Sequence, residues 1–159
     1  MPKETPTNDS RGSEPTASPI ATLFVIYNAS GSLLGHLAYG YHHIRQTPGK
    51  ECSACALTHG PRLAVTERAE WSRTRWRLES GELIGDEGKG VAVRTLHKEE
   101  VDEGIKTYLR KHDLSLPCAL LEIGGGRMET VFTKEDLDVF EGDLGQFEQA
   151  LGTRLAPLL

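Results

Sequence analysis

The sequence predicts an α/β fold built on a mixed β-sheet. Short runs of β-branched and aromatic residues alternate along the chain with segments whose apolar residues recur at helical spacing. The last two of these runs are joined by Gly124-Gly125-Gly126-Arg127, a sequence typical of a β-hairpin. Alternation predicts parallel strands joined by helical crossovers, and the hairpin adds an antiparallel strand. A chain of 159 residues has the size of one domain.

The N-terminal residues differ in composition from the rest. Residues 1–19 are rich in Pro, Thr, Ser and charge, so they cannot bury enough apolar surface to offset their ordering entropy. We therefore expect a disordered tail over residues 1–19 and a single domain over residues 20–159. The tail lacks the apolar segment of a signal peptide, and polar residues interrupt the apolar stretch over residues 20–41. These features favour a cytoplasmic protein with no membrane partner.

The first half of the domain is predicted to be one strand followed by three helices. Residues 22–27 form a continuous β-branched and aromatic run, typical of a buried strand. Apolar residues at helical spacing predict a helix over residues 33–47, which the following Pro-Gly pair must end. A short helix is expected over residues 52–59, because Gly60 suits its C-terminal end, and a longer helix over residues 62–78.

The second half is predicted to contain three strands and two helices. Residues 91–96 form a strand, and residues 101–112 form an amphipathic helix with acids in its first turn and basic residues in its last, as the helix dipole prefers. Residues 117–123 and 128–133 are the two strands of the hairpin. An apolar stripe predicts a closing helix over residues 144–155.

This order of elements resembles the thioredoxin-like fold, which has a βαβ half, then a ββα half, with a proline opening its third strand. Leu116-Pro117-Cys118 stands at that position, and the resemblance, which covers residues 21–159, implies a cis peptide bond before Pro117. Thioredoxin-like enzymes carry Cys-x-x-Cys directly after the first strand, where this chain has Asn28-Ala29-Ser30-Gly31. The Cys-x-x-Cys of this chain comes one helix later, so we expect a helical insertion that bears Cys and His.

A second resemblance involves the same region. Tyr27-Asn28-Ala29, followed by His42 and by Cys52-x-x-Cys55-x-Leu57-Thr58-x-Gly60, resembles a pattern in a set of small uncharacterised bacterial proteins, and it implies no particular activity. Asn28 ends the first strand, where open α/β sheets bind ligands. We therefore expect Asn28 beside the functional site, and the thioredoxin-like resemblance implies the same of Pro117.

The chain concentrates its chemistry in one segment. Two of its three cysteines and four of its six histidines lie between His36 and His59. Cys52, Cys55 and His59 are spaced to share one helix face, and His42 lies at the margin of the apolar stripe of the preceding helix. Two thiolates and two imidazoles satisfy tetrahedral zinc and also suit copper or iron. The first expectation is therefore a metal site, structural or catalytic, made of His42, Cys52, Cys55 and His59.

The same cysteines also suit a redox dithiol. Cys52 lies near a predicted helix N-terminus, where backbone N–H groups, together with Arg45 and Lys50, stabilise a thiolate. Cys52 would then attack and Cys55 would resolve, in a thiol–disulfide or peroxide-handling protein that uses a reductant or a protein partner.

Two non-catalytic interpretations stay open. In the first, Cys55 packs in the core as a small apolar residue, as is expected of Cys118 on its strand. In the second, the protein is an accessory module whose basic segment, residues 62–77, binds a protein partner. The stretch from residue 36 to residue 77 carries a net charge of +4 and the remainder −9, and the overall charge of −5 argues against a nucleic-acid partner. Trp76 is expected to pack in the core.

Overall fold

The computed structural model of the chain describes residues 18–29, 52–60 and 67–159. Over these residues the protein is an α/β structure with a four-stranded mixed sheet. The strands are β1 (Ala21–Ile26), β2 (Val91–Leu96), β3 (Cys118–Ile123) and β4 (Arg127–Phe132). The helices are α1 (Ser53–His59), α2 (Ala69–Glu79), α3 (Glu103–Lys111), α4 (Lys134–Val139) and α5 (Leu144–Leu155), with a 3₁₀ turn at Glu82–Ile84.

The sheet brings the ends of three strands together. The strand order is β2-β1-β3-β4, with β1 parallel to β2, β1 antiparallel to β3, and β3 antiparallel to β4. Ile26, the last residue of β1, pairs with Leu96 at the end of β2 and with Cys118 at the start of β3. The residues after β1 and β2 and those before β3 therefore meet at one end of the sheet. The Leu116–Pro117 peptide bond, just before β3, is cis.

The sheet separates two hydrophobic cores, because successive side chains of a strand point to opposite faces. Leu23 and Val25 of β1 lie in the larger core, together with residues of α1, α2, α4 and α5. Phe24 and Ile26 lie in the smaller core, together with Ile105 of α3. Helix α1, which carries the cysteine pair, therefore packs on the face of the sheet opposite to α3.

Short polar side chains fix where several helices begin. Asp102 accepts a hydrogen bond from the backbone N–H of Ile105 at 2.8 Å, so α3 begins directly after it. Thr133 starts α4 with a capping box, and Asp143 caps α5. Helix α1 ends at Gly60, whose φ of 83° lies in a region that residues with a Cβ rarely adopt.

Most of the predicted elements are confirmed. Each strand lies within one residue of its predicted limits. The helices predicted over residues 52–59 and 144–155 are present, and the helix predicted over residues 101–112 is shorter, because Asp102 is its cap and not its second residue. Helix α4 was not predicted, since its six residues are too few to show a helical period.

Two predictions around α2 are wrong. The helix expected from residue 62 does not include residues 67 and 68, because Arg68 is extended, with a ψ of 148°, and its N–H donates to the Thr58 carbonyl at 2.8 Å. Trp76, expected in the core, is 54 % exposed. The core position belongs to Trp71, which is fully buried and packs against Phe147 with the ring centroids 5.9 Å apart.

Other predictions fall outside the described residues. These are residues 1–17 of the predicted tail, the helix over residues 33–47 with His42, and residues 62–66 at the start of the helix predicted over residues 62–78. In the ranges that the structure does describe, every helix is too short or too polar to cross a membrane.

Candidate dithiol site

Cys52 occupies the position immediately before α1. Its backbone is extended, with φ −83° and ψ 105°, and its Sγ accepts a hydrogen bond from the backbone N–H of Cys55 at 3.3 Å. A thiol sulfur thus takes the place of the Ser, Thr, Asp or Asn oxygen that usually caps a helix. Because the first N–H groups of a helix have no intrahelical partner, this position brings the sulfur close to backbone donors.

These donors lower the pKa of Cys52. The largest cause is a hydrogen bond from the side chain of Cys55, and the backbone N–H groups of Cys55, Asn28 and Ala54 act in the same direction. Burial acts against them, because Cys52 is 3 % exposed and a charge is costly away from water. The donors outweigh the burial, so Cys52 is the thiol that ionises first.

The pKa of Cys55 shifts in the opposite direction to that of Cys52. Its pKa is raised, first because its thiol proton is shared with Cys52 and then because Cys55 is buried, with 8 % exposure. Both residues are free cysteines. Of the two, Cys52 is therefore the residue on which a thiolate forms more readily, and Cys55 is the residue that keeps its proton.

Asn28 contributes to the site through its backbone. Its N–H stabilises the charge on Cys52, although the two residues are far apart in the sequence and the Asn28 side chain is exposed. The end of β1 therefore meets the start of α1. Pro117 lies at the same end of the sheet, because the next residue, Cys118, pairs with Ile26. The structure thus places both residues that were expected beside the site at the end of the sheet where β1 finishes.

A buried hydroxyl network lies behind the cysteine pair. Tyr27 is 2 % exposed, and its hydroxyl donates to Thr58 Oγ1 at 2.9 Å. Thr58 Oγ1 lies 3.1 Å from the Ala54 carbonyl oxygen and 2.7 Å from His59 Nδ1. Burial raises the pKa of Tyr27, so the phenol stays protonated and acts as a donor. Sequence reasoning missed this network, although Thr58 follows Cys55 at helical spacing.

The structure does not assemble a complete metal site from its described residues. His59 Nδ1 is engaged by Thr58, and its ring lies edge-on to Tyr27 with the centroids 5.9 Å apart. Within residues 18–29, 52–60 and 67–159, no three Cys, His, Asp or Glu side chains converge as ligands of one ion. The predicted ligand His42 lies outside these ranges. Cys52 and Cys55 supply two adjacent sulfur ligands, and the four-ligand site stays a prediction.

Another polar group near the pair has no partner. Ser53 is 9 % exposed, and its Oγ makes no hydrogen bond in the part of the chain that the structure describes. Buried hydroxyls are normally hydrogen-bonded, so an orphan directly after Cys52 needs an explanation. Its position between the two cysteines is the sequence feature that could have singled it out.

The basic segment is largely paired within the chain. Arg75 forms an ion pair with Glu67, and Arg77 pairs with Glu82 and with Glu148 of α5. These contacts attach α2 to its neighbours, which accounts for part of the positive charge in this region. The exposed residues of the helix are Ala69, Glu70, Ser72, Arg73 and Trp76.

Cys118 lies outside the dithiol site. It is fully buried in the smaller core, on the other face of the sheet. Burial alone raises the pKa of Cys118 to about 12. This thiol therefore stays protonated and behaves as a small apolar side chain, as its position on a strand predicted.

Comparison of the chain with protein-family models, with curated proteins and with solved structures finds no match. The chemistry of the site therefore follows from its own residues. These residues provide a helix-capping thiol whose pKa is lowered, a neighbouring thiol and a set of backbone donors.

Proposed function

We propose that the protein is a thiol–disulfide redox protein in which Cys52 is the attacking residue and Cys55 the resolving residue. One observation carries the proposal: the Cys52 sulfur caps α1 and accepts the Cys55 backbone N–H at 3.3 Å. A thiolate is the nucleophile in disulfide exchange, and a neighbouring thiol is needed to release the partner.

The reaction balances on these two residues. The Cys52 thiolate attacks one sulfur of a disulfide, a new S–S bond forms, and the other sulfur leaves as a thiolate that takes up a proton. Cys55 then loses its proton and attacks the Cys52 sulfur, which releases the second partner sulfur as a thiolate. The pair is oxidised to one disulfide, and the partner disulfide is reduced to two thiols. The reverse sequence regenerates the dithiol at the expense of a reductant.

An order of elements compatible with a thioredoxin-like fold supports this proposal. The parallel β1 and β2 with α1 and α2 between them match the βαβ half, and β3, β4 and the following helices match the ββα half. A cis proline opens the third strand. The contact of Asn28 with Cys52 gives the pair a position at the end of β1, although the sequence places it after a long connection. In a reducing cytoplasm, the compartment that the sequence favours, the dithiol would be the resting form.

The proposal is tested by equilibrating the protein in buffers of graded dithiol-to-disulfide ratio and trapping the free thiols for mass spectrometry. We expect a Cys52–Cys55 disulfide to form and to be reduced reversibly. The background variant Cys118→Ala should give the same midpoint, because Cys118 lies on the other face of the sheet. Two thiols that stay reduced at every ratio would contradict the proposal.

A metal site is the second candidate function, and the adjacent sulfurs of Cys52 and Cys55 favour it. Two thiolates would hold zinc, copper or iron, with His42 and His59 completing the predicted set. Metal analysis of protein purified without a metal-affinity column separates the candidates. About one ion per chain, lost in Cys52→Ser, would support the metal site, because thiolate ligands dominate such sites. Metal-free protein with a reversible disulfide would leave the redox function alone.

A further inference from the structure

We draw no further inference here: the strongest candidate, the groove of about 390 Å³ between α3 and the β3–β4 hairpin that is lined by Phe24, Ile105 and Met128 together with Glu122, carries nothing because the structure does not show what covers it.

Discussion

Cys52 and Cys118 are both buried cysteines near the same end of the sheet, yet their pKa values move in opposite directions. Burial alone acts on Cys118 and raises its pKa to about 12. Burial also acts on Cys52, but the Cys55 thiol and three backbone N–H groups outweigh it and lower the pKa. The difference indicates that burial alone does not set the direction in which a thiol pKa moves. The hydrogen-bond donors that face the sulfur reverse the effect of burial at Cys52.

The largest expected effect is the contrast in reactivity between these two cysteines. Near neutral pH, iodoacetamide should modify Cys52 at least about a thousand times faster than Cys118 in folded protein, since the pKa of Cys52 is lowered and that of Cys118 is raised to about 12. Peptide mass spectrometry after timed quenching measures both rates in one sample. In denaturant the two rates should converge, which is the internal control. Equal rates in the folded state would break the comparison.

The next largest effect is expected from the side chain of Cys55, which contributes most to the lowered pKa of Cys52. Cys55→Ala removes the side-chain hydrogen bond to Cys52, so alkylation of Cys52 near neutral pH should slow by roughly tenfold. Cys55→Ser keeps a donor of similar size and should retain most of the rate. The pH profile of alkylation should shift upward in Cys55→Ala, whereas a rate that is unchanged in both variants would assign the low pKa to the backbone alone.

A smaller effect is expected on stability. Because the pKa of Cys52 is lower in the folded state than in the unfolded chain, the stability that its thiolate contributes is fully present above the ordinary thiol pKa of about 8.5. It is lost as the pH falls through the folded value. The stability that Cys118 contributes depends on pH in the opposite sense, because folding raises its pKa.

Urea unfolding under reducing conditions checks this sign. The difference in the free energy of unfolding between wild type and Cys52→Ala should grow as the pH rises from about 6 to about 8.5. The corresponding difference for Cys118→Ala should stay constant at the lower end of that range and fall slightly near about pH 8.5, because Cys118 remains protonated in the folded state while the thiol of the unfolded chain begins to ionise. A Cys52 difference that is flat with pH would mean that its thiol is not ionised in the folded protein.

The sequence carried enough information to find the cysteine pair but not its surroundings. The spacing of Cys52 and Cys55 and the following Gly60 predict a short helix with a cysteine at its start, and the strands follow from local β-branched runs. The effect of the Asn28 backbone on Cys52 has no local pattern, because the two residues are far apart in the sequence. Thr58 likewise gains its role from a tyrosine on a strand. Trp71 and not Trp76 takes the buried position of α2, which the apolar spacing before the helix did not reveal.

The smallest effect on the reactivity of Cys52 is expected from the hydrogen bond between Tyr27 and Thr58. This prediction tests whether only the donors that face the sulfur distinguish Cys52 from Cys118. Tyr27→Phe removes the hydrogen bond to Thr58 Oγ1 and should lower the free energy of unfolding by about 1 kcal/mol, the usual net value of a buried hydrogen bond. Thr58 still has the Ala54 carbonyl and His59 within hydrogen-bond distance, so the helix should keep its position. None of the donors to the Cys52 sulfur is altered, and alkylation of Cys52 should therefore change by less than about twofold. A large loss of reactivity in Tyr27→Phe would mean that the hydroxyl network, and not the donors facing the sulfur, separates Cys52 from Cys118.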